Sequence, residues 1–132
     1  MSGPRKLTDA DWRALETALS AFPRLVAAWV FGSAQGGSVR PGGDVDVGVL
    51  WQGRPSLDEL ATLRMAIQDA LQMDAVDLVV LNEASPILRF EAISGRPVFC
   101  RNAGQRAIFA SLTAREYEDE MAMTLRALAG KW

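Results

Sequence analysis

The chain has 132 residues, 49% of them hydrophobic and 8% aromatic, which is enough apolar surface for one folded domain and short for two. Its 14 basic and 16 acidic residues give a formal net charge of −2, so no global positive field draws in nucleic acid, and direct nucleic-acid binding is not expected. With no histidine and a single cysteine, Cys100, the composition excludes Ser-His-Asp and Cys-His nucleophile systems, histidine-ligated zinc and an internal disulfide. No apolar run approaches the ~20 residues that cross a bilayer, and the first residues carry no signal-peptide core, so the expectation is a cytoplasmic protein without a membrane partner.

Taken in chain order, helical and strand patterns alternate. Thr8 is a predicted N-cap with Asp9 and Asp11 in the first turn, and Trp12, Leu15, Leu19 and Phe22 recur at helical spacing up to Pro23. Leu25 to Phe31 and Val45 to Trp51 are continuous apolar runs, the pattern of central strands buried on both faces. Between them lies a glycine-rich loop. Ser56-Leu57-Asp58-Glu59 is a capping box that opens a helix carrying Leu60, Leu63, Ile67 and Leu71 on one face. Val76 to Leu81 is the next predicted strand. Ser85-Pro86 starts a short helix, Gly95 follows it, and Pro97 to Cys100 is a short strand placed at an edge by its proline. The segment 105–128 is helical with a stripe of Tyr117, Met121, Leu125 and Leu128, and a second capping-box pattern at Thr113 to Glu116 leaves open a break there. The expected fold class is α/β (α+β): a single domain over 1–132, with a core at 25–100 and a mixed sheet of about four strands packed by helices.

The chemistry-bearing residues cluster between the two long apolar runs. Gly32-Ser33 ends the first, ten residues intervene, and Asp44-Val45-Asp46 opens the second. Asp44 and Asp46, two apart, project to the same side of a strand, and aspartate is a poor strand former. Taken alone, an Asp-x-Asp pair is also what a solvated strand end looks like. Asp77 opens the next predicted strand in the same way, so if the strands are neighbours three carboxylates meet at one end of the sheet. Such a cluster suits Mg²⁺, which prefers oxygen ligands. Gly32 would let backbone approach a phosphate that the Ser33 hydroxyl and nearby N–H groups contact, although the loop is neither a Walker A nor a dinucleotide fingerprint. Trp12, Trp29 and Trp51 read as core residues, Trp132 has no assigned role, and Glu116, Glu118, Asp119 and Glu120 read as a solvated helix face.

Together these elements resemble the GS-x(10)-DxD pattern of the DNA polymerase β-like nucleotidyltransferase superfamily, and most closely its small single-domain branch, the minimal nucleotidyltransferase (MNT) proteins. The resemblance runs from Phe31-Gly32-Ser33 to Asp44-Val45-Asp46, includes Asp77, and extends through Ala84 to Phe99. It implies Mg²⁺-dependent transfer of a nucleoside monophosphate, AMP from ATP, with release of pyrophosphate. By position, Gly32 and Ser33 would hold the triphosphate, Asp44 and Asp46 would ligate two metal ions, and Asp77 would join one of them and help activate the acceptor hydroxyl. The sequence departs from the family at Ala34-Gln35-Gly36-Gly37, where a basic residue is common, and at Gly43, where serine is common. Arg40 reads either as a replacement for that charge or as an ordinary loop arginine.

Many MNT proteins are antitoxins paired with a helical HEPN ribonuclease toxin. The resemblance therefore implies a HEPN-domain partner, with a tyrosine of that toxin as acceptor. Two alternatives stand beside it: an antitoxin that neutralises by binding alone, and a nucleotidyltransferase acting on a small molecule. Homo- or hetero-oligomers are compatible with the apolar stripe of the last helix.

Overall fold

The computed structural model describes residues 4–130, which form in order β1 (Arg5–Lys6), α1 (Asp9–Ser20), β2 (Leu25–Phe31), β3 (Ser38–Val39), β4 (Val45–Trp51), α2 (Leu57–Leu71), β5 (Val76–Val80), α3 (Pro86–Ile93), β6 (Arg96–Cys100) and α4 (Ala103–Ala129), with single 3₁₀ turns at Gly32–Ala34 and Leu81–Glu83. The two long apolar runs become the inner strands of a sheet ordered β5-β4-β2-β6. The β2–β4 and β2–β6 pairs are antiparallel, whereas β4 and β5 run parallel. That arrangement explains the residue types. Every residue of β2 is buried, while β6, which opens with Arg96-Pro97, takes an edge where a missing N–H costs no ladder bond.

Each sheet face receives two helices. On one, Leu15 and Leu19 of α1 and Leu63, Ile67 and Leu71 of α2 are fully buried against Ala28, Val30, Val45, Val47 and Val49. Burial of such side chains is worth about 1.5–3 kcal/mol each, which is what holds these helices on the sheet. On the other face, α3 and the first half of α4 cover Val26, Ala27, Trp29 and Phe31, with Trp29 and Phe109 rings 6.3 Å apart. Helix starts are set by side chains. The Asp11 N–H donates to Thr8 Oγ1 at 3.2 Å while the Asp11 carboxylate accepts the Thr8 N–H at 2.8 Å. Ser56 and Glu59 exchange the same pair of bonds at 3.1 and 3.0 Å. An ion pair from Arg24 to the Glu59 carboxylate, together with the Ser56 N–H, holds Glu59 below its ordinary pKa. Ser85 caps α3 with Pro86 at its first position.

Several elements differ from the sequence expectation. The strand predicted to reach Leu81 stops at Val80, because Leu81 turns into a 3₁₀ helix and buries completely beneath α3. The capping-box pattern at Thr113 to Glu116 caps nothing: α4 is one unbroken helix, and Thr113 is buried inside it at 1% exposure. Packing overrides the local signal there. The α4 stripe also divides. Tyr117 stacks on Phe90 with ring centroids 4.0 Å apart, whereas Leu125 and Leu128 are more than half exposed. Glu116 pairs with Arg89 at 3.5 Å, and Glu118, Asp119 and Glu120 are solvent-exposed as expected. Trp29 and Trp51 are core residues, Trp12 is half-buried, and Trp132 lies outside the described residues.

Gly95 has a different purpose from the left-handed helix end that its position suggests. Its φ is ordinary, but a Cβ there would sit 2.5 Å from the Val30 carbonyl oxygen and 2.8 Å from Phe31 Cβ. Glycine lets the α3–β6 connection lie directly on the end of β2, next to Gly32. Gly95→Ala should therefore destabilise the fold by about 1–3 kcal/mol, because the obstruction is backbone and cannot swing aside. Thermal denaturation checks this: a drop of several degrees in Tm is expected, and an unchanged Tm would contradict the close packing.

Candidate active site

The loop between β2 and β4 is a string of tight turns rather than a slack connection. Gly32 leaves β2 with φ +71°, a left-handed conformation that disfavours a side chain. Buried Ala34 pins the 3₁₀ turn to the core, the Gly37 N–H donates to the Ala34 carbonyl at 2.9 Å, and β3 follows. The Gly43 N–H then donates to the Arg40 carbonyl at 2.8 Å across Pro41 and Gly42, and the φ of +74° at Gly42 makes this a type II turn. Gly43 has its own constraint, since a Cβ there would lie 3.0 Å from the Arg40 carbonyl oxygen. Serine at this position would crowd the turn.

The turn delivers the chain into β4 with Asp44 one residue ahead of the strand. Two ladders then fix Asp46. Antiparallel pairing sets it opposite Phe31, the residue before Gly32, and parallel pairing sets it opposite Asp77 of β5. The Val45 N–H, donating to the Ala75 carbonyl at 2.9 Å, locks the second register. The Gly32 backbone lies so close to Asp46 that a Cβ on Gly32 would fall 2.5 Å from Asp46 Oδ2. Glycine is required here twice, by its φ and by the carboxylate beside it.

Asp46 is half-buried, while Asp44 and Asp77 are exposed. Burial first, and then the negative charges of Asp77 and Asp44, hold the Asp46 carboxyl above its ordinary pKa, and a hydrogen bond with the Asp77 side chain adds to the rise. Such crowding of like charges is unfavourable in isolation and is relieved by a cation. Among the described residues, no three acidic or cysteine side chains form a ready-made metal cage. The donor set is nevertheless all oxygen and open to solvent, which fits Mg²⁺, an ion held by one or two carboxylates together with phosphate oxygens and water. The structure thus brings Gly32, Asp46 and Asp77 together, with Asp44 entering from the turn and Ser33 exposed on the 3₁₀ turn that follows Gly32. Asp77 could be placed from sequence only by supposing that its strand neighbours β4. The short β1–β3 pair that supports the loop gave no signal at all, being two residues long on each side.

A family model described as polymerase beta, nucleotidyltransferase, matches residues 14–104, the whole of the sheet and the loop just described. The chain belongs to that nucleotidyltransferase family. Among solved structures, a chain of a toxin–antitoxin complex with AMP-PNP is 23% identical, with a TM-score of 0.74 over 90% of this chain and 96% of that one. A chain of the complex of tri-AMPylated Shewanella oneidensis HEPN toxin with MNT antitoxin is 22% identical, with a TM-score of 0.69 over 91% and 94%. A chain of a MntA toxin–antitoxin variant, in which two aspartates two positions apart are replaced by glutamate, is 22% identical with a TM-score of 0.76 over 90% and 96%. These likenesses are of fold, and they span nearly the full length of both chains. No curated protein matches the chain.

The strain at Asp46 makes a prediction about stability. Its folded-state pKa is raised, so the native state holds the proton more tightly than the unfolded chain does, and stability is lost as pH rises from the ordinary value of 3.8 through the raised one. Asp46→Asn removes the charge and should raise the Tm of the metal-free protein at neutral pH, with the gain vanishing below pH ~4. Melting curves from pH 3 to 8 check it. A Tm lowered at neutral pH would show that Asp46 is not under repulsion.

Proposed function

We propose that this protein transfers AMP from ATP to a hydroxyl group of a HEPN-type toxin and thereby acts as its antitoxin. The observation that carries the reading is the contact of Gly32 backbone with Asp46, in register with Asp77, at the mouth of an otherwise apolar sheet. Gly32 and Ser33 take the triphosphate, with the Ser33 hydroxyl and the N–H groups of the 3₁₀ turn donating to its oxygens. Asp44, Asp46 and Asp77 are the residues that would hold magnesium. Bound Mg²⁺ supplies charge neutralisation at the phosphates and lowers the barrier to attack on them.

The residues of the chain do the rest by position. Asp77, exposed on the edge strand β5, orients the acceptor hydroxyl and draws its proton, and the parallel β4–β5 ladder holds it beside Asp46. The acceptor oxygen bonds to the α-phosphorus, the α–β phosphoanhydride bond breaks, and pyrophosphate leaves. Asp44 and Asp77 are exposed rather than enclosed, which suits an acceptor carried on a protein surface more than a small molecule that must be surrounded to be bound. The structural neighbour from a complex of tri-AMPylated HEPN toxin with MNT antitoxin supports the choice of partner and of AMP. No helix among the described residues is long and apolar enough to cross a membrane.

The test is transfer of label from α-labelled ATP with Mg²⁺ to the cognate toxin. Native protein should label the toxin, and Asp44→Ala/Asp46→Ala should lower the rate by at least about 100-fold. If the double variant neutralised the toxin as well as the native protein does, neutralisation would be by binding alone.

A further inference from the structure

The loop from Gly32 to Gly43 is held by a part of the chain remote from it in sequence. β1 pairs with β3, Arg5 opposite Val39 and Lys6 opposite Ser38, and the Leu7 N–H donates to the Gly37 carbonyl at 2.7 Å. One turn into α1, the Trp12 ring meets the same point from below. Gly37, at φ +92°, faces the ring: a Cβ built there would lie in ordinary van der Waals contact with Trp12 Cζ2, at 3.6 Å. The guanidinium of Arg96 stacks on the ring with its Cζ 3.9 Å from the ring centroid. Arg96 opens β6 opposite Val30, beside the Gly95 backbone that touches the end of β2 where Gly32 begins. Trp12 is therefore joined at once to the middle of the loop and to the strand flanking its start.

This is more than core filling. Trp12 is half-buried, and the α1 residues that fill the core are Leu15 and Leu19. An indole ring under a glycine is a rigid support with few torsions to freeze, and a guanidinium on its face holds it in one orientation. Without it, Gly37 keeps its bonds to Leu7 and Ala34 but loses the ring that faces it, and the loop that carries the N–H groups after Gly32 is held less firmly against Asp46.

We propose that Trp12, steadied by Arg96, is the positioning residue of the nucleotide loop, pre-setting Gly32 and Ser33 for the triphosphate. The proposal rests on the reading of that loop as the phosphate site. Its action is on nucleotide affinity, not on the carboxylates, so it predicts a split in kinetic parameters that loss of a structural residue would not give.

The test measures the dissociation constant for AMP-PNP with Mg²⁺ by calorimetry, and KM and kcat for ATP in toxin labelling, for native protein, Trp12→Phe, Trp12→Ala and Arg96→Ala. Trp12→Ala should weaken AMP-PNP binding and raise KM by about 10- to 100-fold with kcat nearly unchanged, and Trp12→Phe should restore most of the affinity. Arg96→Ala, which leaves the core intact, should shift both constants in the same direction by a smaller factor and speed hydrogen exchange of the Leu7 amide. Native-like affinity in Trp12→Ala, or in Arg96→Ala should the first variant fail to fold, would overturn the proposal. So would a loss confined to kcat. Native protein that binds AMP-PNP yet labels no toxin would count against the proposed reaction, while the affinity series would still decide the role of Trp12.

Discussion

The register that sets Asp46 between Phe31 and Asp77 is the constraint on which the rest of the candidate site depends. Among the described residues, β4 is the one strand with an antiparallel neighbour on one side and a parallel neighbour on the other. The antiparallel ladder brings the loop that leaves β2 alongside Asp46, and the parallel ladder brings Asp77. A slip of one residue in either would turn Asp46 toward the buried face occupied by Val45 and Val47, where an unpaired carboxylate has no partner and desolvation is costly. The apolar residues on both sides of the aspartate thus enforce the site as firmly as they enforce the fold. The chain keeps one unfavourable feature in return: a carboxylate whose charge is opposed by burial and by two neighbours.

Such a centre needs a loop that holds its shape, and here the shape comes from hydrogen-bonded turns and from outside support. The 3₁₀ turn, the left-handed glycines and the type II turn at Arg40 to Gly43 satisfy the backbone locally, while β1 and α1 brace the loop from below. On the opposite side of the sheet end, Gly95 lets the α3–β6 connection close over β2. The site is consequently built on rigid strand ends and short turns, with the exposed carboxylates facing solvent. That openness is the feature that fits a macromolecular acceptor.

Much of this was legible in the sequence because it follows from strong periodicities. The two seven-residue apolar runs, the N-cap at Thr8, the capping box at Ser56 and the Ser85-Pro86 start all appear where the pattern puts them. The spacing of Gly32, Ser33, Asp44 and Asp46 could be read directly, and Asp77 needed only the assumption of neighbouring strands. Other features were not legible. Two-residue strands such as β1 and β3 carry no pattern, so the brace under the loop was invisible and Trp12 read as simple core. The local capping signal at Thr113 was misleading because it reports only backbone preference, whereas burial of Thr113 within α4 decides the outcome. Gly95 could be noticed but its reason could not, because the reason is contact with a strand more than sixty residues away, between Gly95 and Val30.

If Gly32, Ser33, Asp44 and Asp46 form one nucleotide and metal centre, a bound nucleotide and its metal ion must meet there. A crystal structure with AMP-PNP and Mn²⁺, with anomalous scattering to locate the ion, tests it most directly. The expected result is an anomalous peak against the Asp44 and Asp46 carboxylates, with the triphosphate on the N–H groups after Gly32. A nucleotide bound away from that loop, or an ion that ignores both carboxylates, would contradict it.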